Sequence, residues 1–262
     1  MKKLKRYQYE RYAILCQLAY ADALPEHHNI LKPFHQTQLV DKQARSCVRI
    51  LYRENKKEVI VVFRGSVGLS DWLGNMCFFP SNREVFNTSY RIHWGFNRLL
   101  SQMTYVNQHT SSEAQSLESL VLQIVSPLLA QGKRLSMIGH SSGGALAVLM
   151  ADTIERIYPK SIKRVVTFGQ PAAGCYSFKQ RYCLHQRTYR ICCDLDVITF
   201  MPPFPFYLWH VGRMLWLHDD QIYENTPSYI RFFKSLKSWL LRPLTYHYMR
   251  KYIRNKTLFD EH

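Results

Sequence analysis

Gly139-His140-Ser141-Ser142-Gly143 places a serine where it can act as a nucleophile. The five residues fit G-x-S-x-G, in which a strand turns sharply into a helix with the serine in a strained backbone at the apex. Glycine on either side leaves room where a β-carbon would clash. The following helix aims its N-terminus at the serine, so a backbone N–H can hold a developing oxyanion. The bare pattern also occurs by chance, in serine-rich turns without chemistry. Here its surroundings suit the mechanism, with the strand-like Leu135-Ser136-Met137-Ile138 before it and the small-residue segment Ser142–Ile157 after it. A serine hydroxyl needs a base and a group that orients that base. Asp194 and Asp196 follow downstream, and four histidines come after them: His210, His218, His247 and His262.

Strands and helices must carry these groups. Residues 12–21 read as a short helix. Residues 48–52 and Glu58–Phe63 flank the polar stretch 53–57 as a hairpin. In the second arm Val59-Ile60-Val61-Val62-Phe63 is continuously apolar, as a strand buried on both faces would be. Apolar positions across 117–129 follow helical spacing, with Gly132 as a stop and Pro127 expected to kink the helix. Further strands are expected at 135–138, 163–168 and 188–192. Alternating strands and helices predict an α/β fold, one domain over residues 1–262, with a mostly parallel central sheet flanked by helices.

Several segments together resemble the class 3 (fungal-type) lipases. They are Val62-Phe63-Arg64-Gly65-Ser66 followed by Asp71-Trp72-Leu73, then His93-Trp94-Gly95-Phe96, then Gly139 to Ala147. Thr167-Phe168-Gly169-Gln170-Pro171 and Asp196-Val197-Ile198 with Met201-Pro202-Pro203 complete the set, in the family's order. The resemblance implies an α/β-hydrolase fold and hydrolysis of carboxylic esters, typically of lipids. In such hydrolases the triad order is Ser, then acid, then His. The family's Asp-x-Val-x-x-Leu-Pro pattern matches Asp196, with Asp194 as runner-up. The late His-x-Met-x-x-Tyr segment matches His247, whereas His210 resembles a position that is usually non-catalytic. Tyr246 stands before His247 where acidic or small polar residues are common. By resemblance, the backbone N–H groups of Ser66 and Ser142 form the oxyanion hole, and the Ser66 hydroxyl is a possible third donor. The chemistry calls for no metal or cofactor.

The same resemblance makes the segment after Arg64-Gly65-Ser66 a lid, in which Trp72, Met76, Phe78 and Phe79 line or cap an acyl site. A fixed core helix is the competing reading. A second segment begins with Thr226 as an N-cap and Pro227 in the first turn, and Pro243 ends it. At 100° per residue Phe232, Phe233, Leu236, Trp239 and Leu240 share one side, and Arg231, Lys234, Ser235, Ser238 and Arg242 the other. That profile fits either an interfacial membrane helix or a helix packed on the sheet.

Charge sharpens the choice of partner. The 262 residues carry a formal net charge of +16, of which residues 1–11 and 229–257 hold +12. A hydrophobic fraction of 47% excludes a disordered chain. The basic ends suit solvated faces, an anionic membrane, nucleic acid or an acidic partner. No nucleic-acid-binding signature accompanies them, so peripheral contact of the basic segment 226–257 with an anionic membrane is the expectation. Seven cysteines in no framework spacing favour a reducing compartment. No signal peptide or spanning helix is expected, which predicts a cytoplasmic or peripheral-membrane protein, with export by a signal-less route left open. The expected activity is a triacylglycerol lipase or a phospholipase A acting through an acyl-enzyme. A carboxylesterase of soluble or aryl esters and a non-catalytic module on the same scaffold are the alternatives.

Overall fold

The computed structural model describes residues 4–21, 29–66, 79–107, 114–202, 207–239 and 245–260, with side chains described up to residue 234 in the helix that ends at Trp239. The strands are β1 (His35–Val40), β2 (Ser46–Tyr52), β3 (Glu58–Phe63), β4 (Pro80–Val85), β5 (Thr88–His93), β6 (Met103–Val106) and β7 (Gln115–Ser116). After them come β8 (Arg134–His140), β9 (Ile162–Phe168), β10 (Gly174–Cys175), β11 (Thr188–Cys193), β12 (Leu208–Trp209), β13 (Arg213–His218) and β14 (Gln221–Glu224). The helices are α1 (Arg6–Leu18), α2 (Trp94–Leu100), α3 (Leu117–Ala130), α4 (Ser142–Ile157), α5 (Tyr176–Arg181), α6 (Ser228–Trp239) and α7 (Met249–Arg254).

Among the described residues the main sheet has the order β14-β13-β11-β9-β8-β3-β2-β1-β6-β7. Its middle, from β13 to β3, is parallel. Antiparallel wings extend it on both sides. A second sheet, β12-β10-β5-β4, stands apart. This is the α/β-hydrolase architecture, and ligands of open α/β sheets bind beyond the carboxyl ends of the parallel strands.

Strand β3 explains why the sheet sits in the middle. Val59, Val61 and Phe63 join one buried cluster with residues of α3 and α4, and Ile60 and Val62 join a second with α1 and α7. Strict alternation into two cores demands apolar residues at each of these positions, and Val59 to Phe63 are apolar without a break. Each such side chain contributes about 1.5–3 kcal/mol on burial.

Helix α1 starts six residues before the expected 12–21 span. Tyr9 and Tyr12 are both fully buried. The Tyr9 hydroxyl donates to the Tyr252 carbonyl at 2.6 Å, which ties the first helix to α7. The Tyr12 hydroxyl donates to Glu58 at 2.9 Å. Burial would raise the Glu58 carboxyl, but the Ser136 hydroxyl, Arg11 and Lys163 outweigh it and hold it at about 2. Helix α3 runs past Pro127 to Ala130. The six described cysteines are free thiols.

Candidate active site

Ser141 lies between the last residue of β8 and the first of α4, at φ 57°, ψ −133°. A non-glycine residue in that region costs on the order of 1–3 kcal/mol, so its surroundings must hold it there. Two bonds do so. The Ser141 N–H donates to the Phe168 carbonyl at the end of β9 (2.9 Å), and the Gly144 N–H donates to the Ser141 carbonyl (2.9 Å). Gly143 is required because a β-carbon there would lie 2.4 Å from the Phe63 carbonyl, a backbone atom of the neighbouring strand.

Asp196 follows β11 and is fully buried. It opens a 3-10 turn, Val197–Phe200, and accepts from the Ile198 N–H at 3.0 Å. Both carboxylate oxygens lie 2.9 Å from His247 Nδ1. The Tyr252 hydroxyl donates to Oδ2 at 2.5 Å. Burial alone would raise this carboxyl. The charge of His247 and the bonds from His247 and Tyr252 outweigh burial and hold it below the usual carboxylate range. A buried carboxylate with these partners stays ionised near neutral pH.

His247 sits in the 3-10 turn Thr245–His247, just before α7. With Nδ1 spent on Asp196, the second ring nitrogen, Nε2, is buried and has no hydrogen-bond partner among the described residues. A neutral imidazole whose Nδ1–H is fixed this way presents Nε2 as a proton acceptor.

His140, the residue before Ser141, holds His247 in place. Its Nε2 donates to the His247 carbonyl at 2.7 Å, so its Nδ1 accepts from the Tyr20 hydroxyl at 2.6 Å. The two imidazole rings are 4.5 Å apart. Burial first, and then the charge of His247, push the His140 pKa down to about 3, which keeps it neutral. Sequence reasoning assigned no role to His140, Tyr20 or Tyr252. Tyr252 had a signal, because it ends the His-x-Met-x-x-Tyr segment that singled out His247. His140 occupies the variable position of its motif and carried none.

The oxyanion candidates also meet. The Ser66 N–H donates to Ser142 Oγ at 3.1 Å, and the two hydroxyls are 3.2 Å apart. Ser142 is buried and Ser66 is exposed. Of the expected lid residues, Trp72, Met76 and Phe78 lie outside the described residues. Phe79 is described and its side chain is solvent-exposed.

The other titratable candidates have separate duties. Asp194 bonds His218 at 2.9 Å, and His218 stacks on Trp216 with ring centroids 4.4 Å apart. The runner-up acid is therefore engaged away from His247. His210 is half-buried and donates from Nε2 to the Thr199 carbonyl at 3.0 Å. His262 lies outside the described residues. Among the described residues no three His, Cys, Asp or Glu side chains gather in a way that could hold a metal ion.

Helix α6 is turned differently from the expectation. Arg231 of the expected polar side is fully buried, whereas Phe232 and Phe233 of the expected apolar side are exposed at 40% and 69%. Lys234 is exposed beside them. The Arg231 guanidinium stacks over Phe200 at 4.4 Å and bonds the Thr199 hydroxyl, which outweighs the simple hydrophobic pattern. Among the described residues no helix is long and apolar enough to cross a membrane.

A model of the class 3 lipases matches residues 60–206, more than half of the chain. A lipase of Rhizomucor miehei is 26% identical over 176 residues, which are 64% of this chain and 44% of that protein. A rice protein named phospholipase A1-II 6 is 28% identical over 175 residues, 58% of this chain and 42% of that protein. The chain thus spans less than half the length of these relatives. In three dimensions it is similar to the Rhizomucor miehei triacylglyceride lipase, with a TM-score of 0.64 and 19% identity over 82% of this chain and 80% of that one. Lipase II of Rhizopus niveus gives a TM-score of 0.62 at 18% identity, with 81% of this chain and 80% of that one covered.

Proposed function

The chain belongs to the class 3 lipase family, and from that premise we propose that it hydrolyses carboxylic esters of lipids through an acyl-enzyme on Ser141. One observation carries the reading. His247 Nδ1 is held by both oxygens of a buried Asp196 while its buried Nε2 has no hydrogen-bond partner among the described residues, and its ring lies 4.5 Å from that of His140, the residue before the serine in the strained elbow conformation. Ser141 Oγ attacks the ester carbonyl as Nε2 takes its proton. Asp196 fixes the tautomer and stabilises the imidazolium that forms. The N–H groups of Ser66 and Ser142 hold the tetrahedral oxyanion, one such donor being worth roughly 3–4 kcal/mol of barrier. The Ser142 hydroxyl must then release the Ser66 N–H as substrate enters. His247 returns its proton to the leaving alcohol, and water, activated by the same nitrogen, frees the acid.

The substrate in this reading is a phospholipid or acylglycerol at an anionic surface. Exposed Tyr229, Phe232 and Phe233 project from α6 near exposed Lys234, and residues 229–257 carry eight basic and no acidic residues, of which Arg231 is buried and Lys256 pairs with Glu10. Each basic residue near an anionic bilayer contributes about 1 kcal/mol. The test is fatty-acid release from vesicles of phosphatidylglycerol and triacylglycerol, comparing wild type with Ser141→Ala, alongside vesicle co-sedimentation. Release that depends on Ser141, and binding that grows with anionic lipid and weakens with salt, support the proposal. Equal release by both proteins refutes the activity, and binding indifferent to charge refutes the docking.

A further inference from the structure

Arg231 is fully buried, and its guanidinium touches no carboxylate among the described residues. Its partners are the Thr199 hydroxyl, to which Nη2 donates at 2.6 Å, the Met214 sulfur at 3.3 Å, and the rings of Phe200 and Trp216 at 4.4 and 5.9 Å. Burying a cation without an acid is costly. A methionine would fill similar space without that cost. What the guanidinium adds is a directional bond, and that bond ends on the turn that carries Asp196.

Thr199 is the connection. Its hydroxyl donates to the Asp196 carbonyl at 2.7 Å while accepting from Arg231, and its backbone N–H donates to the same carbonyl at 3.1 Å. Its own carbonyl accepts from His210. A hydroxyl that donates in one direction and accepts in the other has a fixed rotor, and a charged donor strengthens the chain. The Asp196 turn is therefore gripped from behind by α6 while its carboxylate points forward to His247.

We propose that Arg231 is a positioning residue for the triad acid, acting through the Thr199 hydroxyl to fix the Val197–Phe200 turn and hence the aim of the Asp196 carboxylate. This rests on the reading of Ser141, Asp196 and His247 as the triad. It also makes α6 a mechanical link, because the helix that exposes Phe232 and Phe233 sends Arg231 from its inner side to the acid's turn.

Thr199→Val keeps the shape of the side chain and removes the hydroxyl, and Thr199→Ser keeps the hydroxyl. On p-nitrophenyl butyrate in solution, Thr199→Val is expected to lower kcat about tenfold at unchanged KM, with Thr199→Ser close to wild type. Arg231→Met is expected to match Thr199→Val, and the double variant to lose little more, because both changes cut one chain of bonds. Thermal unfolding separates this from a packing role. Lower melting temperatures with wild-type kcat in Thr199→Val would overturn the proposal, and so would losses in the two single variants that multiply in the double. Ser141→Ala on the same substrate tests the triad reading separately. Activity that survives it sinks that reading, whereas its loss alongside an unaffected Thr199→Val sinks only the positioning role.

Discussion

His140 and His247 face each other at 4.5 Å, and the first donates to the carbonyl of the second at 2.7 Å. The residue that precedes Ser141 thus holds the backbone of His247, the proposed base. The bond joins the elbow to the turn that carries His247, more than a hundred residues away in sequence, and proton transfer in the proposed mechanism needs the two held in fixed relation.

A neutral buried histidine in this place has a consequence for stability. His140 titrates near 3 in the folded protein and near its ordinary 6.5 when unfolded. Between those values the unfolded chain binds the extra proton, so stability falls as pH drops from 6.5 towards 3 by up to about 1.4 kcal/mol per pH unit. Denaturant unfolding of His140→Gln across that window should give a slope shallower by close to one proton. An unchanged slope would show that His140 is not held neutral.

Gly169 stands where the triad leaves no room. It has φ +57°, and a β-carbon would lie 2.6 Å from Asp196 Oδ2 and 2.9 Å from the His247 ring. Gly169→Ala should cut kcat by at least about a hundredfold, because a misplacement of roughly 1 Å at the reacting groups has that cost. Near wild-type kcat would mean that the pair has slack the geometry does not allow.

Tyr252 completes the partners of the carboxylate. Tyr252→Phe removes a hydrogen bond to a charged group, worth about 1.5–3 kcal/mol. The expected outcome is a lower melting temperature together with a fall in kcat of about tenfold. A variant equal to wild type in both would remove Tyr252 from the account.

Ser66 can act through its backbone and its hydroxyl. Ser66→Ala keeps the N–H and loses the hydroxyl that faces Ser142 at 3.2 Å. With that hydroxyl donating to the oxyanion, kcat should drop by roughly a hundredfold while KM changes little. A drop confined to KM would assign the hydroxyl to binding.

Much of this could be read from local sequence. The elbow was legible because a strand, a strained serine and a helix follow one another within a few residues. Strand β3 was legible because burial on both faces leaves an unbroken apolar run. The contacts around Asp196 and His247 were not, because Tyr252 reaches Asp196, His140 reaches the His247 carbonyl and Arg231 reaches Thr199 only after the chain has folded back on itself. Arg231 shows why periodicity failed on α6. A hydrophobic pattern assigns a charge to solvent, and the pattern cannot see a hydroxyl, a sulfur and two rings waiting inside. The polar strands β4 and β5 escaped notice for a related reason, since they form a separate small sheet and lack the apolar runs of the main one.

The most direct test of the central claim is the intact mass and peptide map of the protein after reaction with a fluorophosphonate. One adduct per chain is expected on Ser141, none on Ser141→Ala, and much slower labelling of His247→Ala. An unlabelled wild type, or an adduct that persists in Ser141→Ala, would contradict it.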